Sequence, residues 1–277
     1  MILMHAYTYR SYDFERACRK AREYGWEGLE LCPTLFRGRG LAEIQPELAA
    51  TMRRYGVAAP VASWGGDVIQ DDRAAAATAL ADLLAGLPVL RELGVEKINS
   101  GVGALMADDP LVTGSALAQE FHFERGAEAF QKVSAALADL GMTCSFEIHM
   151  HSLHDTAAST LKLLDMIGSP LVTANIDAGN MYGTPHAEEA VTAVELLSGR
   201  IGYVHAKNCR RLAAGGTDYS YMLDNGHLDY FRIFRALRDT GYAGHVCCEY
   251  CGLGDPSVAA QRDLAYLQST LRELGMW

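Results

Sequence analysis

The strongest constraint on the fold of this sequence is a regular alternation of short apolar runs with longer amphipathic segments. The first run, 1–7, precedes a segment over 13–24 whose apolar residues recur at helical spacing and which ends at Gly25. Strict repetition of this strand-then-helix order implies a parallel sheet with right-handed crossover helices. Eight such units close naturally into a barrel. The sequence therefore predicts an α/β fold, a (β/α)8 TIM barrel that forms one domain over residues 1–277.

The predicted elements follow one another without a linker or a low-complexity segment. The strands are expected at 1–7, 27–32, 57–63, 97–100, 143–148, 172–176, 201–204 and 245–248. The helices are expected at 13–24, 44–55, 72–93, 123–140, 156–167, 188–197, 228–240 and 257–274. The main alternative is an open doubly wound sheet, which usually carries a glycine-rich phosphate loop after its first strand. Here residues 8–11 follow the first strand and contain no glycine, which favours the barrel.

Charge and composition narrow the classes of partner. The net charge is −10, which argues against broad binding of nucleic acid or of anionic membranes. No apolar run approaches the ~18 residues that would span a bilayer, and charged residues follow the first strand at once, without a signal-peptide pattern. The seven cysteines show no zinc-ribbon spacing. We expect reduced thiols, a cytoplasmic location, and neither a nucleic-acid nor a membrane partner.

The last four predicted strands all end in a residue that can bind a metal ion. These residues are Glu147, Asp177, His205 and Glu249. A carboxylate at the end of an apolar strand costs several kcal/mol unless it is paired or bound to a metal. Each residue alone could instead cap a helix or form an ordinary salt bridge. Because the strand ends converge on the barrel mouth, four such residues at the same depth favour one shared metal site.

The chemistry of this ligand set indicates which ions fit. Three carboxylates and one imidazole form an oxygen-rich set, which suits Mn²⁺, Mg²⁺ or Co²⁺ and leaves positions open for substrate oxygens. Zn²⁺ remains possible because one ligand is nitrogen. We predict one divalent ion per chain, with Mn²⁺ as the first choice.

The segments around these four residues resemble a known family. The xylose isomerase-like barrel superfamily of sugar isomerases and epimerases has similar motifs, which here read Glu147-Ile148-His149, Asp177-Ala178-Gly179-Asn180, His205-Ala206-Lys207-Asn208 and Glu249-Tyr250-Cys251-Gly252. The resemblance extends over nearly the whole chain and is strongest over 143–255. Ketose 3-epimerases, inosose dehydratases and C-glycoside deglycosidases are relatives within it.

The resemblance implies a role for each matching residue. In the superfamily the four positions hold one divalent metal, and in its ketose 3-epimerases the glutamates that match Glu147 and Glu249 also move the proton. The chain departs from the pattern at Asn180, where members often carry histidine, and at Ile148, where the epimerases have proline after the glutamate. These departures concern the reaction rather than the metal. Related barrels often pair, which implies a homodimer or a homotetramer.

Several neighbouring residues are candidates for contact with substrate. His149 follows Glu147 by two residues and is either a general base, a hydrogen-bond donor to substrate, or a structural histidine. Arg211 lies six residues after His205, where the resemblance implies a substrate-binding arginine. Lys207 could polarise a carbonyl or be solvated. Trp64 ends the third strand, where it could line a sugar site or simply pack.

Three further features of the sequence have a candidate role in the site or in assembly. Glu30 lies inside the second strand and is a possible hydrogen-bond partner of the site. The segment 211–226 is longer than most loops of the chain and is either a lid or a flexible excursion. Leu253, Met276 and Trp277 are apolar residues in a late loop and at the C-terminus, which suggests that a partner subunit covers them; alternatively, Trp277 folds back on its own barrel.

The residues and the resemblance favour two reactions that share one intermediate. The first is isomerisation or epimerisation of a keto-sugar or keto-polyol through an enediolate, with metal-assisted proton transfer. The second is a lyase reaction on the same enolate, either an inosose-type dehydratase or an enzyme that cleaves 3-oxo-glycosides, with His149 as a base. A metal-dependent DNA-repair endonuclease is opposed by the acidic charge and by the absence of extra histidines. An inactive binding barrel is opposed by the intact ligand set.

Overall fold

The barrel closes as the alternation predicts. The computed structural model describes residues 1–109, 111–185 and 188–277. Its eight barrel strands are β1 (Ile2–His5), β2 (Gly28–Leu31), β3 (Val61–Ser63), β4 (Lys97–Ser100), β5 (Thr143–Glu147), β6 (Val172–Asp177), β7 (Ile201–Ala206) and β10 (Val246–Cys248). All eight are parallel, and β10 pairs with β1 to close the sheet. The predicted (β/α)8 architecture is therefore confirmed.

Helices surround the barrel and begin and end where local chemistry dictates. They are α1 (Phe14–Tyr24), α2 (Leu41–Tyr55), α3 (Arg73–Glu92), α4 (Glu120–Leu140), α5 (Ala157–Ile167), α6 (Ala178–Gly183), α7 (Ala190–Leu196), α8 (Tyr230–Asp239) and α9 (Ser257–Glu273). The Asp13 carboxylate accepts a hydrogen bond from the Arg16 backbone N–H at 2.8 Å and so caps α1. Gly25 ends that helix with a φ of 87°, a conformation that glycine adopts without strain.

Strand periodicity places the site directly above the packed interior of the barrel. Leu3, Val61, Tyr203 and Cys247 form a separate apolar cluster. Because side chains alternate across a strand, the residue two positions further on points to the same side. Those residues are His5, Ser63, His205 and Glu249. The apolar layer is therefore followed toward the C-terminal ends of the strands by a layer of polar and ionisable groups.

The segment after β7 contains a two-stranded hairpin. Residues Asn208–Arg211 form β8 and residues Thr217–Tyr221 form β9, and the two strands pair as an antiparallel hairpin. The hairpin lies over the barrel mouth, where Tyr219 and its neighbours line the cavity that contains Glu147 and Glu249.

The helix α3 is a longer apolar segment than we expected. Among the described residues, α3 is long and apolar enough to cross a membrane by length and composition, because its many alanines raise the mean hydropathy. The expectation that no apolar segment is long enough to span a bilayer is therefore wrong for α3. In the fold α3 is one of the helices around the barrel, and its Leu83, Leu87 and Leu90 are buried in the core, although only 28% of its apolar window is buried.

Two smaller observations concern thiols and the C-terminus. All seven cysteines are free, and only Cys251 is not fully buried, as expected of a chain with reduced thiols. The Trp277 indole donates to Glu27 Oε1 at 3.2 Å and the Arg272 guanidinium lies 4.8 Å from the Trp277 ring centroid. The terminal tryptophan thus folds back on its own chain.

Candidate metal centre and active site

The four predicted ligands meet at the barrel mouth. One ligand atom from each of Glu147, Asp177, His205 and Glu249 lies within 4.8 Å of the other three. Asp177 and His205 are adjacent in the β6–β7 register, and their side chains are fully buried. The side chains of Glu147 and Glu249 retain 18% and 11% of their exposure. The cluster therefore has a closed half and a half that faces the cavity.

The His205 ring is oriented by a buried carboxylate. Its Nε2 lies 2.8 Å from Glu30 Oε2, whereas its Nδ1 lies 3.6 Å from Asp177 Oδ2 and 3.7 Å from Glu147 Oε1. Nδ1 has no hydrogen-bond partner among the described residues. If Nε2–H donates to Glu30, the lone pair of Nδ1 points into the cluster, as a metal ligand requires.

Glu30 is fully buried and accepts hydrogen bonds from several directions. Ser63 Oγ donates to Oε1 at 2.7 Å, and Tyr203 Oη donates to Oε2 at 2.6 Å. Burial acts to raise the pKa of Glu30, but His205 and His5 outweigh it and hold the pKa well below its ordinary value. The carboxylate is therefore anionic and fixed, which confirms that Glu30 contacts the site.

The Asp177 carboxylate directs its Oδ2 atom toward His205 Nδ1. Its Oδ1 accepts a hydrogen bond from the Asn180 backbone N–H at 2.8 Å and caps α6. Its Oδ2 accepts no hydrogen bond from the described residues, although Lys207 Nζ lies 3.0 Å away. A buried acceptor left unsatisfied costs ~1–3 kcal/mol. The unsatisfied Asp177 Oδ2 and His205 Nδ1, close together among carboxylates, fit a divalent cation.

Two amides hold the Glu147 carboxylate in place. Asn99 Nδ2 donates to Oε2 and Asn180 Nδ2 donates to Oε1, both at 2.8 Å. Asn180 stands where the resemblance implies histidine in many members, and here its side-chain amide holds the Glu147 carboxylate. Burial acts to raise the pKa of Glu147, but attraction to His205 and Lys207 holds the pKa well below its ordinary value. Glu147 is therefore ionised at neutral pH.

Lys207 is part of the site wall. It is only 5% exposed, so the alternative of a solvated lysine is wrong. Its Nζ donates to Glu249 Oε2 at 2.6 Å. Burial acts to lower the pKa of Lys207, but Asp177 and Glu249 raise it well above its ordinary value. In turn, burial raises the pKa of Glu249 while Lys207 and His5 lower it, with a net pKa below the ordinary value.

Two cavities meet at Glu147. The central cavity has a volume of about 620 Å³ and is lined by both cavity-facing glutamates together with His149 and Lys207. The second has a volume of about 420 Å³ and is lined by Trp64, Glu147 and His149 among others. The exposed His149 thus lies in the walls of both cavities, and Trp64 lies only in the second.

Arg211 differs from Trp64, Lys207 and His149, the other residues predicted to contact substrate, because it does not line these cavities. It is exposed, its guanidinium donates to the Tyr182 carbonyl at 3.2 Å, and it stacks 4.7 Å from the Tyr182 ring centroid. It lines neither cavity in the part of the chain that the structure describes. In the β8–β9 hairpin this side chain therefore packs on Tyr182.

Sequence reasoning missed His5. This residue ends β1, is 4% exposed and lines the central cavity. Its Nε2 lies 3.1 Å from Ser63 Oγ, and its Nδ1 lies 3.7 Å from Glu249 Oε1. Burial acts to lower its pKa, but Glu30 and Glu249 produce a net rise. A polar residue that ends an apolar strand was the same signal that identified the four ligands, and it would have found His5.

The fold and the site define an α/β barrel with a cluster of carboxylates and a histidine at its mouth that could hold a cation. Residues 18–270 match the family described as Xylose isomerase-like TIM barrel, and the chain belongs to that family.

Individual relatives are more distant. An L-ribulose 3-epimerase from Mesorhizobium japonicum is 28% identical over 246 residues, which cover 86% of this chain and 75% of the relative. An inosose dehydratase from Clostridium perfringens is 24% identical over 165 residues, and the match covers 55% of this chain and 54% of that enzyme, about half its length. A solved structure of L-ribulose 3-epimerase superposes with a TM-score of 0.79 at 21% identity, covering 99% of this chain and 95% of that chain. That superposition supports the fold.

Proposed function

We propose that the protein is a divalent-metal-dependent isomerase or epimerase that acts on a keto-sugar or keto-polyol. The observation that carries the proposal is the arrangement of Glu147 and Glu249, two anionic carboxylates that face one cavity above the closed pair Asp177 and His205. The L-ribulose 3-epimerase relative supports an enzyme that acts on sugars. The substrate is a small carbohydrate.

The four clustered residues are the proposed metal ligands. When bound, a divalent ion supplies Lewis-acid polarisation of the substrate carbonyl, which makes the neighbouring C–H bond more acidic. The mostly oxygen donor set favours Mn²⁺, with Mg²⁺, Co²⁺ and Zn²⁺ as further possibilities. Glu30 holds the His205 ring so that its Nδ1 remains available to the ion.

The glutamates perform the proton transfer in this proposal. Glu147 ends β5 and Glu249 follows β10, and β6 and β7 lie between these strands in the barrel. The two carboxylates therefore approach the cavity from different sides. One removes the proton next to the carbonyl to give the enediolate, and the other delivers a proton to the opposite face, which inverts that carbon.

The proton balance closes through solvent. A carboxylate that delivers a proton must first carry one, so it takes a proton from solvent water, and the carboxylate that removed the substrate proton returns that proton to water. Lys207 stays protonated, because Asp177 and Glu249 raise its pKa well above the ordinary value, and its Nζ donates to Glu249 Oε2 at 2.6 Å. The same ammonium group stabilises the negative charge that develops on the substrate oxygen.

A lyase acting through the same enolate is the second candidate. The observation that favours it is His149, an exposed imidazole in the walls of both cavities. The inosose dehydratase relative supports this reading. Proton removal would be followed by loss of a leaving group from the β-carbon, with His149 as an added base.

Proton NMR in D₂O distinguishes the two reactions. Metal-loaded protein is incubated with ketoses, inososes and 3-oxo-glycosides, and the metal is removed before spectra are recorded. Exchange of the hydrogen next to the carbonyl, with a new stereoisomer and no loss of carbon or oxygen groups, is the expected result. Release of water or of an aglycone would instead establish the lyase. A chelated sample controls for exchange without enzyme.

A further inference from the structure

We propose that Lys97 is a site of covalent acylation, where the ε-amine takes the acyl group of a small acyl phosphate. Lys97 begins β4 at the N-terminal end of the barrel strands, whereas the four proposed metal ligands lie at the C-terminal ends of their strands. The proposal therefore concerns a separate part of the molecule and goes beyond the proposed function.

Lys97 lacks the anionic partner that a lysine withdrawn from solvent usually has. Its Nζ donates to Thr143 Oγ1 at 2.9 Å and to Ser145 Oγ at 3.4 Å, and it forms no ion pair with a carboxylate in the described ranges. Lysine is rarely buried unless it is paired, because an unpaired ammonium is unfavourable away from water. Two neutral hydroxyls replace the lost water only in part, so the surroundings favour the neutral amine.

The groups around Lys97 supply little negative charge near neutral pH. On β5, burial raises the pKa of the Cys144 thiol to about 12. Burial lowers the pKa of His245, and the positive charges of the N-terminal amine and of Lys97 lower it further. On β3 the residue in register with Lys97 is the apolar Val61, and Glu96, the preceding residue, is exposed. As a result, burial lowers the pKa of Lys97 below its ordinary value.

The other four lysines of the sequence have different surroundings. Three of them form ion pairs with carboxylates, at 2.9, 2.6 and 2.6 Å: Lys20, Lys162 and Lys207. The fourth, Lys132, is exposed to water. Both settings favour the protonated amine, which has no free electron pair for an acyl donor. Lys97 is itself partly exposed, so a small reagent has access to it.

The reaction converts the Lys97 amine into an amide. The electron pair of the neutral Nζ attacks the acyl carbon and an N–C bond forms. The C–O bond to phosphate breaks, phosphate leaves with that electron pair, and the amine proton passes to solvent water. The remaining N–H keeps a donor for Thr143 Oγ1. Because the product carries no charge, the fold should accept the modification.

Site-resolved acetylation kinetics test the proposal. The wild-type protein is incubated with acetyl phosphate near neutral pH, and mass spectrometry of its peptides gives the acetylated fraction of each lysine over time. Each unit by which a pKa falls raises the neutral fraction ~10-fold, so we expect the initial rate at Lys97 to exceed that at Lys132 by at least ~5-fold. In urea, which unfolds the chain, this difference should disappear. A rate at Lys97 no higher than at Lys132, or a difference that persists in urea, would overturn the proposal.

A pair of variants tests the cause. Thr143→Asp places a carboxylate where the Thr143 hydroxyl accepts from Nζ, and Thr143→Asn places an uncharged amide of the same size there. The ion pair favours the protonated amine, so Lys97 in Thr143→Asp should react at least ~5-fold more slowly than in Thr143→Asn, with Lys132 unchanged in both. Equal Lys97 rates in the two variants, both folded by circular dichroism, would overturn the proposal. If Thr143→Asp does not fold, the comparison of Lys97 with Lys132 in the wild type decides.

Discussion

The variant Glu30→Gln tests how strongly metal binding depends on the orientation of His205, because Glu30 is not itself one of the four proposed ligands. Glu30 accepts hydrogen bonds from Ser63 Oγ, Asn99 Nδ2, Tyr203 Oη and His205 Nε2 at distances of 2.7, 3.2, 2.6 and 2.8 Å, respectively. A glutamine of the same shape presents an N–H₂ group where the carboxylate has an oxygen. At least one of these donors then meets another donor, and the negative charge beside His205 is lost.

The expected effect follows from the hydrogen bond that orients the ligand. Hydrogen bonds to charged groups contribute ~1.5–3 kcal/mol, and loss of such an outer partner typically weakens metal binding ~10–100-fold. We expect the Kd for Mn²⁺ to rise by ~10–100-fold, with little change in the circular dichroism spectrum.

The assay is titration of metal-free protein with Mn²⁺, monitored by the electron paramagnetic resonance signal of the free ion. Glu43→Gln, at an exposed position of α2, is the matched control and should bind as the wild type does. A Kd for Glu30→Gln within a factor of ~2 of the wild type would refute the reasoning, because the expected loss is at least ~10-fold.

Three further predictions concern catalysis, stability and assembly. Glu147→Gln and Glu249→Gln should each lower the exchange rate by ~10²–10⁴-fold with the fold retained, and near-normal rates in both would exclude glutamate acid–base catalysis. Burial raises the pKa of Asp263 to about 7, so its contribution to stability is fully present below pH ~4 and is lost as the pH rises through 7. Asp263→Asn keeps an acceptor for the Leu223 N–H. The stability of Asp263→Asn relative to wild type should therefore rise between pH 5 and pH 8, by up to ~3 kcal/mol. Urea denaturation at both pH values measures this, and an equal difference at pH 5 and pH 8 would contradict it. Light scattering at micromolar concentration should show a dimer or a tetramer rather than a monomer of 30.1 kDa; removal of Met276 and Trp277 tests whether the C-terminus takes part.

The sequence was sufficient for the barrel and for the ligand cluster because both depend on strand periodicity. Alternation fixes which residues point into the barrel, and parallel strands bring their ends to one mouth. Glu147 and Glu249 are far apart in the chain, yet their positions at strand ends were enough to place them together. His5 obeys the same rule and was missed because it stands alone in the first strand, far from the motifs of the second half.

The loop-borne features could not be predicted in the same way. Spacing from His205 placed Arg211 near the substrate, but the direction of a side chain in a loop depends on backbone geometry that spacing does not encode. Residues 208–221 instead pair as a hairpin, and Arg211 stacks on Tyr182. The second cavity likewise depends on the close fit between Gly86 and Trp64, which no periodic pattern reveals.

Metal stoichiometry tests the central claim most directly, since the proposed chemistry requires the four-residue site to bind a cation. Wild type, Asp177→Ala and the exposed-site control Asp139→Ala are dialysed against micromolar Mn²⁺ and analysed for metal per chain. We predict about one Mn²⁺ per chain for wild type and Asp139→Ala, and loss of most of it in Asp177→Ala, because the cation loses a charged ligand that is fully buried. Full occupancy in Asp177→Ala, or none in wild type, would contradict the account.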